Sequence, residues 1–152
     1  MIPNVCFLAL KIMNASGTEI LVRRFAAAKV WSLPVVETND ADIDPYTLLP
    51  KALKEIIVSP NFVFIAATPL IKYDHTERVY DEKVAAHVPK IYRSYIYSLQ
   101  YKGNVSPVLP HTVRSSYDRS RYTPVDKLKS LGFVNRPMDA LIQASEKEPN
   151  LL

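Results

Sequence analysis

The stretch that decides the fold is VWSLPVVETNDADIDPYTLLPKALKEIIV, which covers residues 30–58. It opens as the end of an apolar strand, crosses an acidic loop and continues as a helix. Pro34 ends the strand, because proline has no N–H to donate to a sheet ladder. From Tyr46 onward, apolar residues return every three or four positions, which predicts an amphipathic helix with its charged residues on the other side.

The start of this helix has two interpretations. Asp44 is suited to the N-cap, and Pro45 to the first helical position, where its missing N–H costs nothing. Pro50 would remove a hydrogen bond from a helix interior. The helix therefore either begins near Leu49 or is kinked close to that residue.

The remaining elements follow from hydrophobic periodicity and turn chemistry. Residues 4–25 predict two strands joined as a hairpin by the turn at residues 14–17. The polar segment at residues 73–89 predicts a long surface loop. The other predictions are strands at residues 62–72, 90–102 and 111–122, a short helix at residues 123–131, and a last helix capped by Asn135.

This order of elements predicts an α+β protein, an α/β/α sandwich in which a mixed β-sheet is flanked by helices. We expect one domain over residues 1–148 and a frayed tail at residues 149–152. The chain has 152 residues, of which 48% are hydrophobic and 22% charged. This is enough to build a core, and it excludes the disordered class.

The cysteine content and the hydropathy of the sequence indicate the cellular compartment. Cys6 is the single cysteine of the sequence, so a disulfide framework or a cysteine metal site is excluded. Spanning a membrane takes roughly 18 consecutive apolar residues, and the sequence has no such run. We therefore expect an intracellular, cytoplasmic protein without a membrane partner.

The formal charge of +4 is unevenly distributed. Acidic residues outnumber lysines between residues 37 and 58, whereas residues 86–136 contain nine basic and two acidic residues. This asymmetry favours an anionic partner for the second half of the chain. A solvated surface with an excess of Lys and Arg explains the same numbers.

Two segments carry a resemblance to a known family. EILVRR at residues 19–24, followed by WSLP at residues 31–34, resembles the Nudix pyrophosphohydrolase pattern of a strand ending in Arg before Trp-x-Leu-Pro-Gly-Gly. RYTPVDKLKSLGFVNRPMDALIQA at residues 121–144 resembles the closing segment of that family. The resemblance spans nearly the whole chain in order and spacing, and it implies the Nudix fold.

The family's chemistry rests on a helix that reads Arg-Glu-aliphatic-x-Glu-Glu, whose carboxylates hold divalent metal ions. In this sequence Val35 and Val36 stand where the family has Gly-Gly. The helix motif can be placed at residues 51–56 or 54–59. In both placements Glu55 is the one carboxylate that remains.

These departures imply a non-catalytic module that binds a nucleotide, RNA or a protein and needs no cofactor. The alternative is a divergent metal-dependent hydrolase of nucleoside diphosphate-linked substrates. In that case Glu55 is the candidate catalytic residue, and Glu55, Asp40 and Asp42 are the candidate ligands of Mg²⁺, which prefers oxygen ligands.

Arginines and tyrosines lie close together at residues 90–102 and again at residues 114–122. This composition suits nucleic acid, because aromatic rings stack on bases and arginines meet phosphates. Tyrosines that are simply half-buried in strands explain the same pattern. A protein partner or a homo-oligomer explains the lost carboxylates equally well. The candidate substrate- and anion-binding residues are Arg23, Arg24, Arg93, Tyr95, Arg119 and Arg121.

Overall fold

A computed structural model describes residues 2–152, without the side chain of Thr112, and within them the chain forms seven strands and two α-helices. Short 3₁₀ turns make up several of the connections. The strands are β1 (Val5–Lys11), β2 (Glu19–Phe25), β3 (Val30–Ser32), β4 (Val35–Thr38), β5 (Val63–Asp81), β6 (Ala86–Lys102) and β7 (Tyr117–Pro124). The helices are α1 (Leu49–Ile56) and α2 (Arg136–Lys147).

The strands form two sheets. The first is mixed and has the order β4-β1-β6-β5, with β1 parallel to β6 and antiparallel to β4. The second is antiparallel and has the order β3-β2-β7. Residues 35–38, which the sequence places in a loop, therefore form an edge strand. The expected mixed sheet is confirmed, and a second, smaller sheet lies beside it.

The core has a layer on each side of the sheets. Strand β1 contributes to both layers, because successive side chains of a strand point to opposite faces. Leu8 and Leu10 are fully buried in the cluster that contains α1, whereas Ala9 belongs to the cluster that contains α2. Each such leucine stabilises the fold by about 2 kcal/mol through burial. The α/β/α sandwich is thereby confirmed.

The predicted hairpin of β1 and β2 holds only near its turn. The two strands are linked by an isolated bridge between Met13 and Ile20 and by a hydrogen bond from Leu21 N to Ile12 O. Beyond this point they diverge, and each joins a different sheet. Their far ends therefore border a gap between the two sheets.

Helix α1 begins at Leu49, so the first of the two interpretations of its start is confirmed. A separate 3₁₀ turn, Pro45–Leu48, precedes it, and the Asp44 carboxylate accepts a hydrogen bond of 3.0 Å from Tyr46 N at its cap. Pro50 lies in the first turn of α1, where its missing N–H removes no intrahelical hydrogen bond. Leu49 and Ile56 are buried.

The prediction of a long surface loop at residues 73–89 is wrong. These residues belong to a β-ribbon in which β5 and β6 pair from Val63 and Lys102 to Asp81 and Ala86, with register shifts at residues 64–66 and 69–71. Pairing with β1 stops where Val5 meets Tyr92, so residues 76–91 extend past the rest of the sheet. The ribbon alternates half-buried and exposed residues and is held mainly by its own cross-strand contacts.

The last third of the chain also differs in detail from the predictions. The strand expected at residues 111–122 is limited to β7, and residues 111–113 form a 3₁₀ turn instead. The short helix expected at residues 123–131 is present as a 3₁₀ helix, Val125–Leu131. Asn135 caps α2 as predicted, since its side chain accepts from Met138 N at 3.3 Å.

The C-terminal residues, for which the sequence predicts a frayed tail, contact the body of the protein. They form a 3₁₀ turn, Pro149–Leu151, and the ammonium of Lys11 donates a hydrogen bond of 2.7 Å to Leu151 O. Leu151 and Leu152 pack on the cluster around α2.

Among the described residues, none of the helices has the length and apolar character required to cross a membrane.

Candidate functional site

The gap between the two sheets is a cleft made of two adjoining cavities. One, which we call the α1 cavity, has a volume of about 290 Å³ and reaches helix α1. The other, the α2 cavity, has a volume of about 280 Å³ and reaches the first turn of α2. Both are lined by Phe7, Phe25 and Val35. The divergence of β1 and β2 thus places a shared apolar floor under both cavities.

Aromatic rings continue this floor on both sides. Phe25 stacks on Tyr117 with ring centroids 4.6 Å apart, at the α1 cavity. Phe7 stacks on Tyr92 at 6.0 Å, and His75 lies on Tyr92 at 5.7 Å, at the α2 cavity. Burial raises the pKa of Tyr117 to about 12, so its hydroxyl stays protonated at neutral pH. The cleft can therefore accept a flat, apolar group.

Two carboxylates line the α1 cavity. Glu55 and Lys51 come from the exposed side of α1, and Glu37 comes from β4. Glu37 lies opposite Phe7 in the register of β4 with β1, which directs both side chains to the same face. Glu37 is not among the site residues that the sequence predicts, because its approach to Glu55 depends on strand pairing that the sequence does not display.

The described part of the chain does not bring the candidate metal ligands Asp40, Asp42 and Glu55 together as a group of three. Asp40 Oδ1 accepts a hydrogen bond of 3.1 Å from Asp42 N within their own loop. Over residues 2–152, apart from the side chain of Thr112, there is no group of three His, Cys, Asp or Glu residues that could hold a metal ion. Two carboxylates beside the ammonium of Lys51 do not fit a dedicated Mg²⁺ site, whose ligands must be oxygens.

Arg23 is one of the predicted anion-binding residues, but its side chain is buried and only 1% exposed. It lies in phase with Leu21 on the α1 side of β2, and its Nη2 donates a hydrogen bond of 2.6 Å to Ile56 O. Burial lowers the pKa of its guanidinium to about 10. Arg23 therefore holds the last turn of α1, the helix that supplies Glu55 and Lys51.

Charged residues also mark the far end of the α2 cavity. Glu77 lies 2.9 Å from His75 Nε2 and accepts a hydrogen bond of 2.8 Å from Arg136 Nη2. These contacts, with His75 first, lower the pKa of the Glu77 carboxyl. The ion pair joins the ribbon to the first turn of α2 and closes one end of the cleft.

Arg93 and Tyr95 lie on β6 in the four-stranded sheet. The Arg93 guanidinium donates two hydrogen bonds, of 2.7 and 2.8 Å, to the carboxylate of Asp74 on β5. Asp74 raises the pKa of Arg93 and Arg93 lowers the pKa of Asp74. The ammonium of Lys72 lies 6.0 Å from the Tyr95 ring. This part of the predicted anion-binding set is therefore a cross-strand pair on the larger sheet.

The structure brings the other three arginines of that set together on the smaller sheet. Arg24 and Arg119 are directly paired across β2 and β7, and Arg121 is two residues further along β7. The guanidinium of Arg121 lies 4.5 Å from the centre of the Trp31 ring, and that of Arg24 lies at 5.9 Å. We call this surface the Trp31 face.

One carboxylate, Asp118, partly neutralises the Trp31 face. It accepts hydrogen bonds of 2.9 and 2.6 Å from Arg24 and of 3.1 Å from Lys29. The hydrogen bond from Arg24 is the first cause of a strongly lowered pKa at Asp118. Arg119 and Arg121 are exposed, so the Trp31 face keeps an excess of positive charge.

Comparison with known proteins defines the fold. No family model matches the sequence, and no curated protein matches it. Solved structures do match, among them the MutT protein from Methanosarcina mazei, with a TM-score of 0.63 and 12% identity over 97% of this chain and 96% of that one. A Nudix hydrolase from Nitrosomonas europaea matches with a TM-score of 0.62 and 12% identity, over 97% of this chain and 90% of its own.

A third match is the Ap4A hydrolase of C. elegans, with a TM-score of 0.55 and 15% identity, over 97% of this chain and 99% of that one. The chain therefore has the Nudix fold over nearly its whole length, as the resemblance of its segments to that family predicts. At these identities the likeness concerns the fold.

Proposed function

We propose that this chain is a non-catalytic binding module that uses the Nudix fold to hold a nucleotide in the cleft. The observation that carries the proposal is the exposed side of α1. Lys51 and Lys54 stand beside Glu55, so a single carboxylate faces the cleft from this helix. Cleavage of a diphosphate bond needs divalent ions to neutralise charge and activate water, and this helix is poorly equipped to hold them.

The aromatic floor supports a nucleobase as the group that is bound. Ligand sites are concave and mainly apolar, with a few polar groups that set the orientation. The cleft has this character, since Phe7, Phe25 and Tyr92 supply flat apolar surface and Glu77 with Arg136 supplies polar contacts at one end. Aromatic rings favour offset stacking on other flat rings, and a nucleobase offers such a ring.

One observation favours the alternative of a divergent hydrolase. Glu37 joins Glu55 in the α1 cavity, so two carboxylates face the same volume. A substrate that carries several phosphates supplies further oxygen ligands, and Mg²⁺ in phosphate-transfer sites commonly uses one or two carboxylates in addition to them. The two functions are separated by turnover.

We expect no metal-dependent turnover. The test is a pyrophosphatase screen with nucleoside triphosphates, dinucleoside polyphosphates and ADP-ribose, each with Mg²⁺ or Mn²⁺. The wild-type protein should release phosphate or pyrophosphate no faster than Glu55→Gln, in which the one carboxylate of α1 is neutral. A MutT protein assayed alongside serves as the positive control. Turnover that is lost in Glu55→Gln would show that the protein is an enzyme.

A second candidate function is RNA binding at the Trp31 face. Arg119 and Arg121 are two residues apart on β7, so their side chains emerge on one face roughly 7 Å from each other. Trp31 and Asp118 hold the neighbouring guanidiniums in place. A rigid row of positive charge favours the phosphates of a single strand, since counterion release dominates such binding.

The prediction for this face concerns the dependence of binding on salt. We expect Arg119→Ala combined with Arg121→Ala to weaken binding of a single-stranded RNA and to reduce the slope of log K against log salt by about 1.4, or about 0.7 for each phosphate that is no longer neutralised. Fluorescence anisotropy at several salt concentrations measures both effects. Lys83→Ala with Arg114→Ala removes the same charge elsewhere on the surface and is the matched control. An equal loss in both double variants would contradict a site at the Trp31 face.

A protein partner or a second copy of the chain remains part of the binding-module proposal. Sedimentation of the purified protein, in the presence and absence of RNA, distinguishes self-association from RNA binding.

A further inference from the structure

We infer that Lys51 and Lys54 bind the phosphate of the nucleotide directly, in the place where other proteins of this fold would use a metal ion. This inference rests on the proposed binding of a nucleotide in the cleft. The residues of α1 do not suit a Mg²⁺ site, because Glu55 is the one carboxylate in the helix sequence, which also contains two lysines. What α1 offers around Glu55 is positive charge, and positive charge is also what a phosphate requires.

The two lysines line a third space, which we call the outer pocket. It has a volume of about 630 Å³, opens on the solvent side of α1 and is lined by Pro50, Lys51, Lys54, Glu55 and Val113. Lys51, Glu55 and Val113 also line the α1 cavity. The outer pocket therefore borders the α1 cavity along these three residues, and in the inferred mode of binding the ligand extends from one into the other.

Charge changes sign along this path. Among the residues that line the α1 cavity, the two carboxylates of Glu37 and Glu55 face one ammonium, that of Lys51, so the charges of the lining sum to −1. In the outer pocket the two ammoniums of Lys51 and Lys54 face one carboxylate, that of Glu55, so the sum is +1. A nucleotide thus has a preferred direction, with its neutral base on the aromatic floor and its phosphate in the outer pocket.

The geometry of the helix lets both lysines act on one phosphate. Lys51, Lys54 and Glu55 are spaced at i, i+3 and i+4, so their side chains emerge on one side of α1. Lysine binds phosphate as a flexible point charge. Both lysines are exposed, so their side chains are in solvent before a ligand arrives. Glu55, which lines the same pocket, opposes the phosphate.

We expect two kinds of variant to change the affinity for a nucleoside diphosphate in opposite directions. Lys51→Gln with Lys54→Gln should weaken binding of a nucleoside diphosphate by about tenfold while binding of the parent nucleoside stays unchanged, because the base contacts remain. Glu55→Gln should tighten binding of the nucleoside diphosphate severalfold, because a repulsive charge is removed. Lys83→Gln with Lys127→Gln makes the same charge change away from the cleft and should have no such effect.

The experiment is isothermal titration calorimetry of the full chain with four nucleosides and the corresponding nucleoside diphosphates, in EDTA and in Mg²⁺. Diphosphate binding in EDTA that follows the two opposite signs supports the inference. Diphosphate binding that needs Mg²⁺, or that weakens in Glu55→Gln, overturns it. Nucleosides that bind as tightly as their diphosphates overturn it and leave the nucleobase site standing. If neither nucleosides nor diphosphates bind, the proposed function itself is wrong.

Discussion

Replacing Gly103 with alanine is expected to destabilise the protein by about 2–5 kcal/mol. Gly103 follows β6 with a φ of 87°, a left-handed conformation that costs an L-residue about 1–2 kcal/mol. A Cβ at this position would lie 1.6 Å from Asn61 O and 2.6 Å from Asn61 C. Both are backbone atoms of the connection from α1 to β5, so the conflict moves the chain and adds roughly 1–3 kcal/mol.

Gly17→Ala is the matched control for this prediction. Gly17 also has a positive φ, of 69°, but no atom lies within 4 Å of the place where its Cβ would stand. We therefore expect it to lose only about 1–2 kcal/mol from backbone strain. Urea unfolding followed by circular dichroism gives both free energies. If the free energy of unfolding falls by the same amount in both variants, the close approach of Gly103 to Asn61 does not contribute to the loss.

The second prediction concerns Arg23. Arg23→Ala should destabilise the protein by about 3–5 kcal/mol, because it leaves a cavity in the core and removes the hydrogen bond from Arg23 Nη2 to Ile56 O. The last turn of α1 then loses its anchor on β2. The free energy of unfolding in urea measures the loss.

Arg23→Met separates packing from charge. The lowering of the Arg23 pKa from 12.5 to about 10 corresponds to roughly 3 kcal/mol of cost for keeping the charge buried. Its Nε also has no hydrogen-bond partner among the described residues. Methionine keeps apolar volume and removes that cost, which offsets the lost hydrogen bond, so we expect a change within about 1 kcal/mol. A loss as large as that of Arg23→Ala would mean that the guanidinium itself is essential.

The sequence predicts those parts of the fold in which one face of a strand or helix is buried, because apolar residues then recur at a regular spacing. The alternation of β1 and β6 and the apolar spacing of α1 identify these elements. Two cap residues locate the helical starts: Asp44, followed by Pro45, caps the 3₁₀ turn before α1, and Asn135 caps α2. The order of these elements along the chain then leads to the α/β/α sandwich. Local chemistry and layer packing agree for this part of the chain.

The ribbon of β5 and β6 shows where this reasoning fails. Beyond residue 76 the half-buried positions of β5 include the charged residues Glu77 and Asp81, so the alternation of burial is not matched by an apolar alternation in the sequence. Its strands are held by pairs across the ribbon, such as Tyr80 with His87 at 5.4 Å. A polar segment of this kind has the composition of a loop, and only the partner strand makes it a sheet.

Two residues near the cleft show the same limit. Arg23 and Arg24 are neighbours in sequence, but their side chains point to opposite faces of β2, one into the core and one to the Trp31 face. The phase of Arg23 with Leu21 is the signal that could have identified it as buried. For Glu37 no such signal exists, because its position depends on the pairing of β4 with β1, in which its partner Phe7 is 30 residues away along the chain.

The place of β1 in the larger sheet has a consequence for how the chain acquires its structure. The β5–β6 ribbon closes through a short turn, so its contacts are local and can form within microseconds. Strand β1, in contrast, pairs in parallel with β6, with Val5 beside Tyr92. Such a non-local contact requires a long loop to close first. We therefore expect the insertion of β1 between β4 and the ribbon to limit the folding rate, with the ribbon as the preformed template.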